Sequence, residues 1–184
     1  MYWIYILECE DDIYYVGKTK RLFRRFWEHQ NDNGGVNTSI YRPQNIVAIY
    51  KVSNIIKFIN YNEKIININI NKNLKSSYNS GYNNPKYVLN NWDKIFIDDK
   101  QESYICENNI AECMMMHNKD YWESIRGGKY VRFDCEYEFP NNEYIKEIPL
   151  CNCGLPCDVK KDKNNDSLFF RCAKKNMWEK FKEE

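Results

Sequence analysis

"IYILECEDDIYYVGKTKRLFRRFWEHQ", residues 4–30, is the stretch on which the fold turns. Residues 2–8 and 13–17 are rich in Tyr, Ile and Val, side chains that suit a pleated, half-buried surface, so both read as strands. Glu10-Asp11-Asp12 between them reads as a hairpin turn. Residues 20–30 read as a helix whose Leu22, Phe23, Phe26 and Trp27 form an inward stripe at i, i+1, i+4 and i+5. Arg21, Arg25 and His29 recur at i, i+4 and i+8 on a neighbouring stripe, with Lys18 just ahead. Cations bordering a packed face suit an anion lying over the helix, and the planar fork of Arg25 can hold two phosphate oxygens. Tyr5 and Tyr15 each place a phenol on the hairpin. A phenol ionises near pH ~10, and positive neighbours would lower that value and make a tyrosine a base toward water. Taken singly, a tyrosine pair reads as sheet packing and an arginine stripe as a solvated helix face. The combination carries the chemistry.

The chain has 184 residues, enough for one domain and a small appendage, and a formal net charge of +1, so any nucleic-acid contact must come from local patches. No apolar run approaches the ~18 residues of a membrane-spanning helix, and residues 1–8 lack the basic leader of a signal peptide. The expected setting is intracellular, where 8 cysteines read first as metal ligands or core residues.

Past the helix, a polar loop over 31–39 holds Gly34-Gly35, and residues 45–52 read as a third strand. Residues 53–100 are biased toward Asn, Ile and Lys and read as an insertion, with helix over 53–60. Residues 101–118 read as a helix with Cys106, Ile110, Cys113, Met114 and His117 on its buried arc. Glu107 then lies roughly 75° from the arc's centre and Glu112 roughly 145° away, in solvent. A metal ligand needs a held rotamer, which favours Glu107. "IRGGKY", residues 125–130, breaks the pattern with two glycines, and 131–150 reads as a short strand and linker.

Trp3-Ile4-Tyr5, Tyr15-Val16-Gly17, Arg25 and His29 together resemble the signature of the GIY-YIG nucleases, with Trp3 where that family has its first glycine. Thr38-Ser39-Ile40-Tyr41-Arg42-Pro43 and Ile125-Arg126-Gly127-Gly128-Lys129-Tyr130 resemble segments of members from large DNA viruses, and Glu107-Asn108-Asn109-Ile110 resembles a stretch of excision-repair members. The resemblance implies a mixed α/β fold over residues 1–130, a three-stranded antiparallel sheet flanked by helices. It implies a metal-dependent DNA endonuclease acting in repair, recombination or homing, at a host nucleus or cytoplasmic replication site if viral. Tyr5 would help activate water, Tyr15 would position the scissile phosphate or share that role, Arg25 would neutralise transition-state charge, and His29 would assist the phosphate or the proton relay. Glu107 would hold one Mg²⁺ or Mn²⁺. The other reading is an inactive DNA- or protein-binding module on the same fold.

Residues 151–184 space Cys151, Cys153, Cys157 and Cys172 as C-x-C-x3-C-x14-C, a pattern that suits tetrahedral Zn²⁺ in a module too small for a core of its own. A disulfide pair or free buried thiols are the alternative. The segment resembles a GRF-type zinc finger in Cys151-Asn152-Cys153-Gly154 and Phe169-Phe170-Arg171-Cys172. It departs at Asp166-Ser167, and Met177 stands near the usual last cysteine, so Cys157 is the fourth ligand expected. Phe170, Arg171, Lys174, Lys175 and Trp178 could grip single-stranded nucleic acid, or Trp178 could pack within the finger; Lys18 and Arg21 are further candidates for contact with duplex or branched DNA.

Overall fold

The computed structural model describes residues 1–31, 33–63, 99–132, 136–140, 147–164 and 167–177. The hairpin forms as the sequence leads one to expect. Strand β1 (Trp3–Cys9) pairs antiparallel with β2 (Tyr14–Thr19), and Tyr5 lies directly across from Gly17. Asp11 and Asp12 carry the turn with positive φ, a conformation that short polar side chains tolerate, and the amide of Cys9 donates to the carbonyl of Ile13 at 2.8 Å to close it.

Helix α1 (Leu22–Gln30) and the short α2 (Val36–Ile40) lead to β3 (Pro43–Lys51), which pairs antiparallel with the other edge of β1. Helix α3 (Val52–Glu63) extends the expected 53–60 by about a turn; the rest of the expected insertion, 64–98, lies outside the described residues. Helix α4 (Asp99–His117) then packs on α3 and β2 and leads, through a 3-10 turn over Lys119–Ser124, to β4 (Ile125–Gly127). The sheet is mixed α/β in setting and antiparallel-rich, in the order β3-β1-β2-β4. The fourth strand is the addition to the three expected. It spans three residues and runs parallel to β2, bringing Arg126 level with Tyr15.

Pleating sorts the strand residues between two cores. Ile4, Ile6, Val16, Ala48 and Tyr50 face α3 and α4, while Tyr5, Leu7, Ile46 and Ile49 face α1 with Leu22. Two expectations fail at the helices. Trp27 is 59% exposed, and His29 takes the buried place instead. Successive i+4 steps advance about 40° beyond a full turn, so the Arg21–Arg25–His29 stripe drifts into the packed side by its third member. Glu112 is not out in solvent either: it accepts from the Tyr130 hydroxyl at 3.0 Å and pairs with Lys129, because the 127–130 turn folds over this flank of α4.

The cysteine segment forms a hairpin of β5 (Asp158–Lys161) and β6 (Leu168–Arg171). Ile148, Leu155, Cys157, Val159 and Ala173 join the same apolar core as the β1–β3 face. The Tyr50 hydroxyl donates to the Pro156 carbonyl at 2.8 Å, and the Asn176 amide donates to the Ile49 carbonyl at 2.8 Å. The segment therefore packs onto the β3–α3 side of the larger unit. Between the two, no strand occurs among the described residues of 131–147.

Candidate active site

Gly17 sets the site's first dimension. A β-carbon there would lie 2.4 Å from the Tyr5 hydroxyl and 2.8 Å from the Tyr15 ring, so only a bare backbone lets both phenols cross this point. The rings of Tyr5 and Tyr15 sit 6.3 Å apart, and the His29 imidazole meets them at 5.7 and 5.4 Å, edge-on to each. The Tyr5 hydroxyl and His29 Nε2 are 2.7 Å apart, and His29 Nδ1 is 2.7 Å from Thr38 Oγ1.

Arg25 reaches the same place from α1. Its guanidinium donates to Glu28 at 3.1 Å and to the Gly34 carbonyl, and its positive charge acts on both phenols. Glu107 arrives from α4, buried, its carboxylate charge felt by Tyr15 and Tyr5. Lys18 on β2 makes a close ion pair with Glu107 while its ammonium lies 4.6 Å from the Tyr104 ring. The fold thus brings Tyr5, Tyr15, Arg25 and His29 together from the hairpin and α1, with Glu107 on α4 near enough for its charge to act on both phenols. Lys18, considered above as a DNA contact, is directed at the carboxylate instead.

Burial governs the titrations. It pushes Tyr15 up to about 12, with the Glu107 charge adding to the rise, and lifts Tyr5 further, with Tyr15 adding to it. Arg25 pulls both phenols back, but by less. The expectation of a cation-lowered phenol is overturned: removing the rings from water outweighs the guanidinium. His29 is held down at about 4, by burial first and then by Arg25. Burial also raises Glu107, against the opposing pull of Lys18.

Glu107 is the buried carboxylate of the site and could ligate a divalent ion, which would have to share or displace the Lys18 ammonium that now neutralises it. Among the described residues the one group of three or more potential metal donors is Cys151, Cys153 and Cys172, with sulfurs within 4.8 Å of one another. The Cys153 and Cys172 sulfurs are 3.8 Å apart, the edge expected of a tetrahedron with Zn–S near ~2.3 Å. The backbone amide of Cys153 favours the Cys151 thiolate. Cys157 is buried in the core, outside that trio, so the structure gathers three of the four expected ligands.

Of the other candidates, Arg21 and Lys174 are exposed, and Arg171 donates to Asn176. Phe170 is exposed yet sits edge-on to Phe58 at 5.3 Å. Trp178 lies outside the described residues.

Residues 1–83 match the family model of the GIY-YIG catalytic domain. Neither the curated proteins nor the solved structures give a match. The GIY-YIG match covers Tyr5, Tyr15, Arg25 and His29 and stops short of Glu107, whose place in the site rests on the fold. Thr38 is the site residue that sequence reasoning left without a role, and Lys18 was assigned to DNA rather than to Glu107. Thr38 carried a signal only in the resemblance of residues 38–43 noted from the sequence. Among the described residues no helix is long and apolar enough to cross a membrane.

Proposed function

We propose that the chain is a metal-dependent endonuclease that hydrolyses phosphodiester bonds in DNA. The observation that supports this reading is the grouping of two phenols, an imidazole and a guanidinium with a buried carboxylate whose charge reaches both phenols. A pure binding module has no chemical need for that set. Arg25, fixed by Glu28 and the Gly34 carbonyl, holds its positive charge where a phosphate would lie over α1. Tyr15, partly exposed, meets that phosphate from the hairpin, while Tyr5 stands behind it against His29. Because burial keeps both phenols neutral at rest, Tyr5 acts as a base only as its own proton passes to His29. Glu107 would hold the divalent ion once Lys18 yields its place on the carboxylate, and the ion when bound would supply positive charge at the scissile phosphate.

The cysteine module supports a second role in gripping DNA. Phe169 and Phe170 are 45% and 43% exposed on β6, and Lys174 and Lys175 are exposed nearby in sequence. Repair, recombination and homing differ in the DNA they present, so the test is a panel of duplex, nicked, flap and four-way substrates with Mg²⁺ or Mn²⁺. Cleavage is expected from the parent and is lost in Tyr5→Phe, Arg25→Ala and Glu107→Ala. Equal cutting by all three variants, or DNA binding without cutting across several divalent metals, would overturn the reading.

A further inference from the structure

One arrangement of protons satisfies every contact around His29 at once. Thr38 is buried, and its hydroxyl lies 3.2 Å from the Gly35 carbonyl. A carbonyl only accepts, so that contact uses the single hydroxyl proton of Thr38. The same oxygen lies 2.7 Å from His29 Nδ1, and this second contact must therefore use a proton on Nδ1. A neutral imidazole with hydrogen on Nδ1 has none on Nε2. The 2.7 Å contact of Nε2 with Tyr5 must then use the phenol's proton. Tyr5 donates, and its lone pairs are left for another donor.

The loop holds the imidazole and the Thr38 hydroxyl in place. A β-carbon at Gly34 would lie 2.1 Å from His29 Nδ1 and 2.6 Å from Thr38 Oγ1, so the backbone here is pressed against the imidazole. The Gly34 carbonyl also accepts from Arg25, and Gly35 accepts from the Ser39 amide at 3.1 Å as well as from Thr38. One short segment thus orients both the guanidinium and the imidazole.

We propose that Thr38 is a positioning residue for the nuclease reaction, holding His29 in the Nδ1–H tautomer so that Nε2 is the acceptor of the Tyr5 proton. This rests on the nuclease reading given above. In the step it serves, water gives a proton to the Tyr5 oxygen as its own oxygen attacks phosphorus. The Tyr5 proton passes to His29 Nε2, and the imidazolium so formed is held at Nδ1–H by Thr38. With the other tautomer, Nε2–H would point at Tyr5 and no acceptor would be available.

The chain contains two histidines, His29 and His117, so ¹⁵N NMR of the ring nitrogens reads the tautomer directly, with His29→Gln assigning the signals. In the parent at neutral pH, His29 is expected to be protonated at Nδ1 and bare at Nε2. Thr38→Val, which keeps the shape but cannot accept, should shift His29 toward the other tautomer. It should also lower kcat about 10-fold or more with KM little changed, and Thr38→Ser should restore both. Protonation at Nε2 in the parent overturns the proposal without any variant, as does a Thr38→Val protein with parental tautomer and rate. If the parent shows the Nδ1–H tautomer but cuts none of the DNA substrates, the nuclease reading fails while the hydrogen-bond assignment stands. A shifted tautomer with parental kcat would remove the link to catalysis and overturn the proposal.

Discussion

Neighbouring residues of β1 serve different ends: Ile4 and Ile6 meet α3 and α4, while Tyr5 and Leu7 between and beyond them meet α1. The first face is apolar along its strands and continues into the cysteine module. The second begins as an equally apolar layer, with Leu7, Ile46 and Ile49, and gives way to a polar cluster at Tyr5, Tyr15 and His29. Each member of that cluster sits where its charged form is disfavoured, the phenols and Glu107 pushed up and His29 pushed down. Desolvated groups of this kind are a net cost to folding, and the opposite face of the same sheet offsets it. Along β1 the apolar core and the phenol–imidazole cluster are thereby separated by a single residue step, while Glu107 joins that cluster from α4.

That separation can be broken most forcefully from the chemical side. Tyr5→Phe should lower the cleavage rate by about 10²–10⁴-fold, the range for a lost acid–base group, while unfolding free energy changes by no more than roughly 1–2 kcal/mol. A rate assay beside a urea melt reads both, and a large loss of stability with an intact rate would reverse the assignment of the faces. Its counterpart is Ile6→Ala, one residue along and on the other face. The cavity left in the fully buried core should cost about 2–5 kcal/mol in the same melt, with the rate per folded molecule retained.

Acidification sharpens the comparison further. The folded imidazole of His29 titrates at about 4, below the ~6.5 of an unfolded chain, so the unfolded state takes up a proton first as pH falls. The contribution is intact above about pH 6.5 and is lost on the way down to about 4, amounting to roughly 2–3 kcal/mol. Urea melts at a series of pH values should show this loss in the parent and not in His29→Asn. The smallest effect belongs to the apolar face's own polar contact. Tyr50→Phe removes the hydroxyl that caps the Pro156 carbonyl and should cost about 1 kcal/mol by thermal melting, with the rate unchanged.

The hairpin, α1 and α4 were legible because alternation and helical spacing are local properties of the chain. The parallel strand β4 was not: three residues ending in a glycine carry no strand signal, and their pairing with β2 is decided by α4 packing between them in sequence. For the candidate site, Tyr5, Tyr15, Arg25 and Glu107 could be named from residue type and spacing. Their ionisation could not, since the sign of the phenol shifts depends on how much water the fold removes. The stripe logic that put Trp27 inside and His29 at the border ignored the drift of i+4 steps, and this hid the His29–Tyr5 contact. The pairing of Lys18 with Glu107 joins positions 89 residues apart, beyond any pattern in sequence.

The seam between β3–α3 and the cysteine hairpin has a practical consequence for anyone trimming the chain. Ending it before Cys151 would strip the cover from Tyr50 and Phe58 and leave the Ile49 carbonyl without its amide partner. Such a shortened protein should clump on expression and bind hydrophobic dyes, so a catalytic fragment is better made by swapping surface side chains than by cutting there.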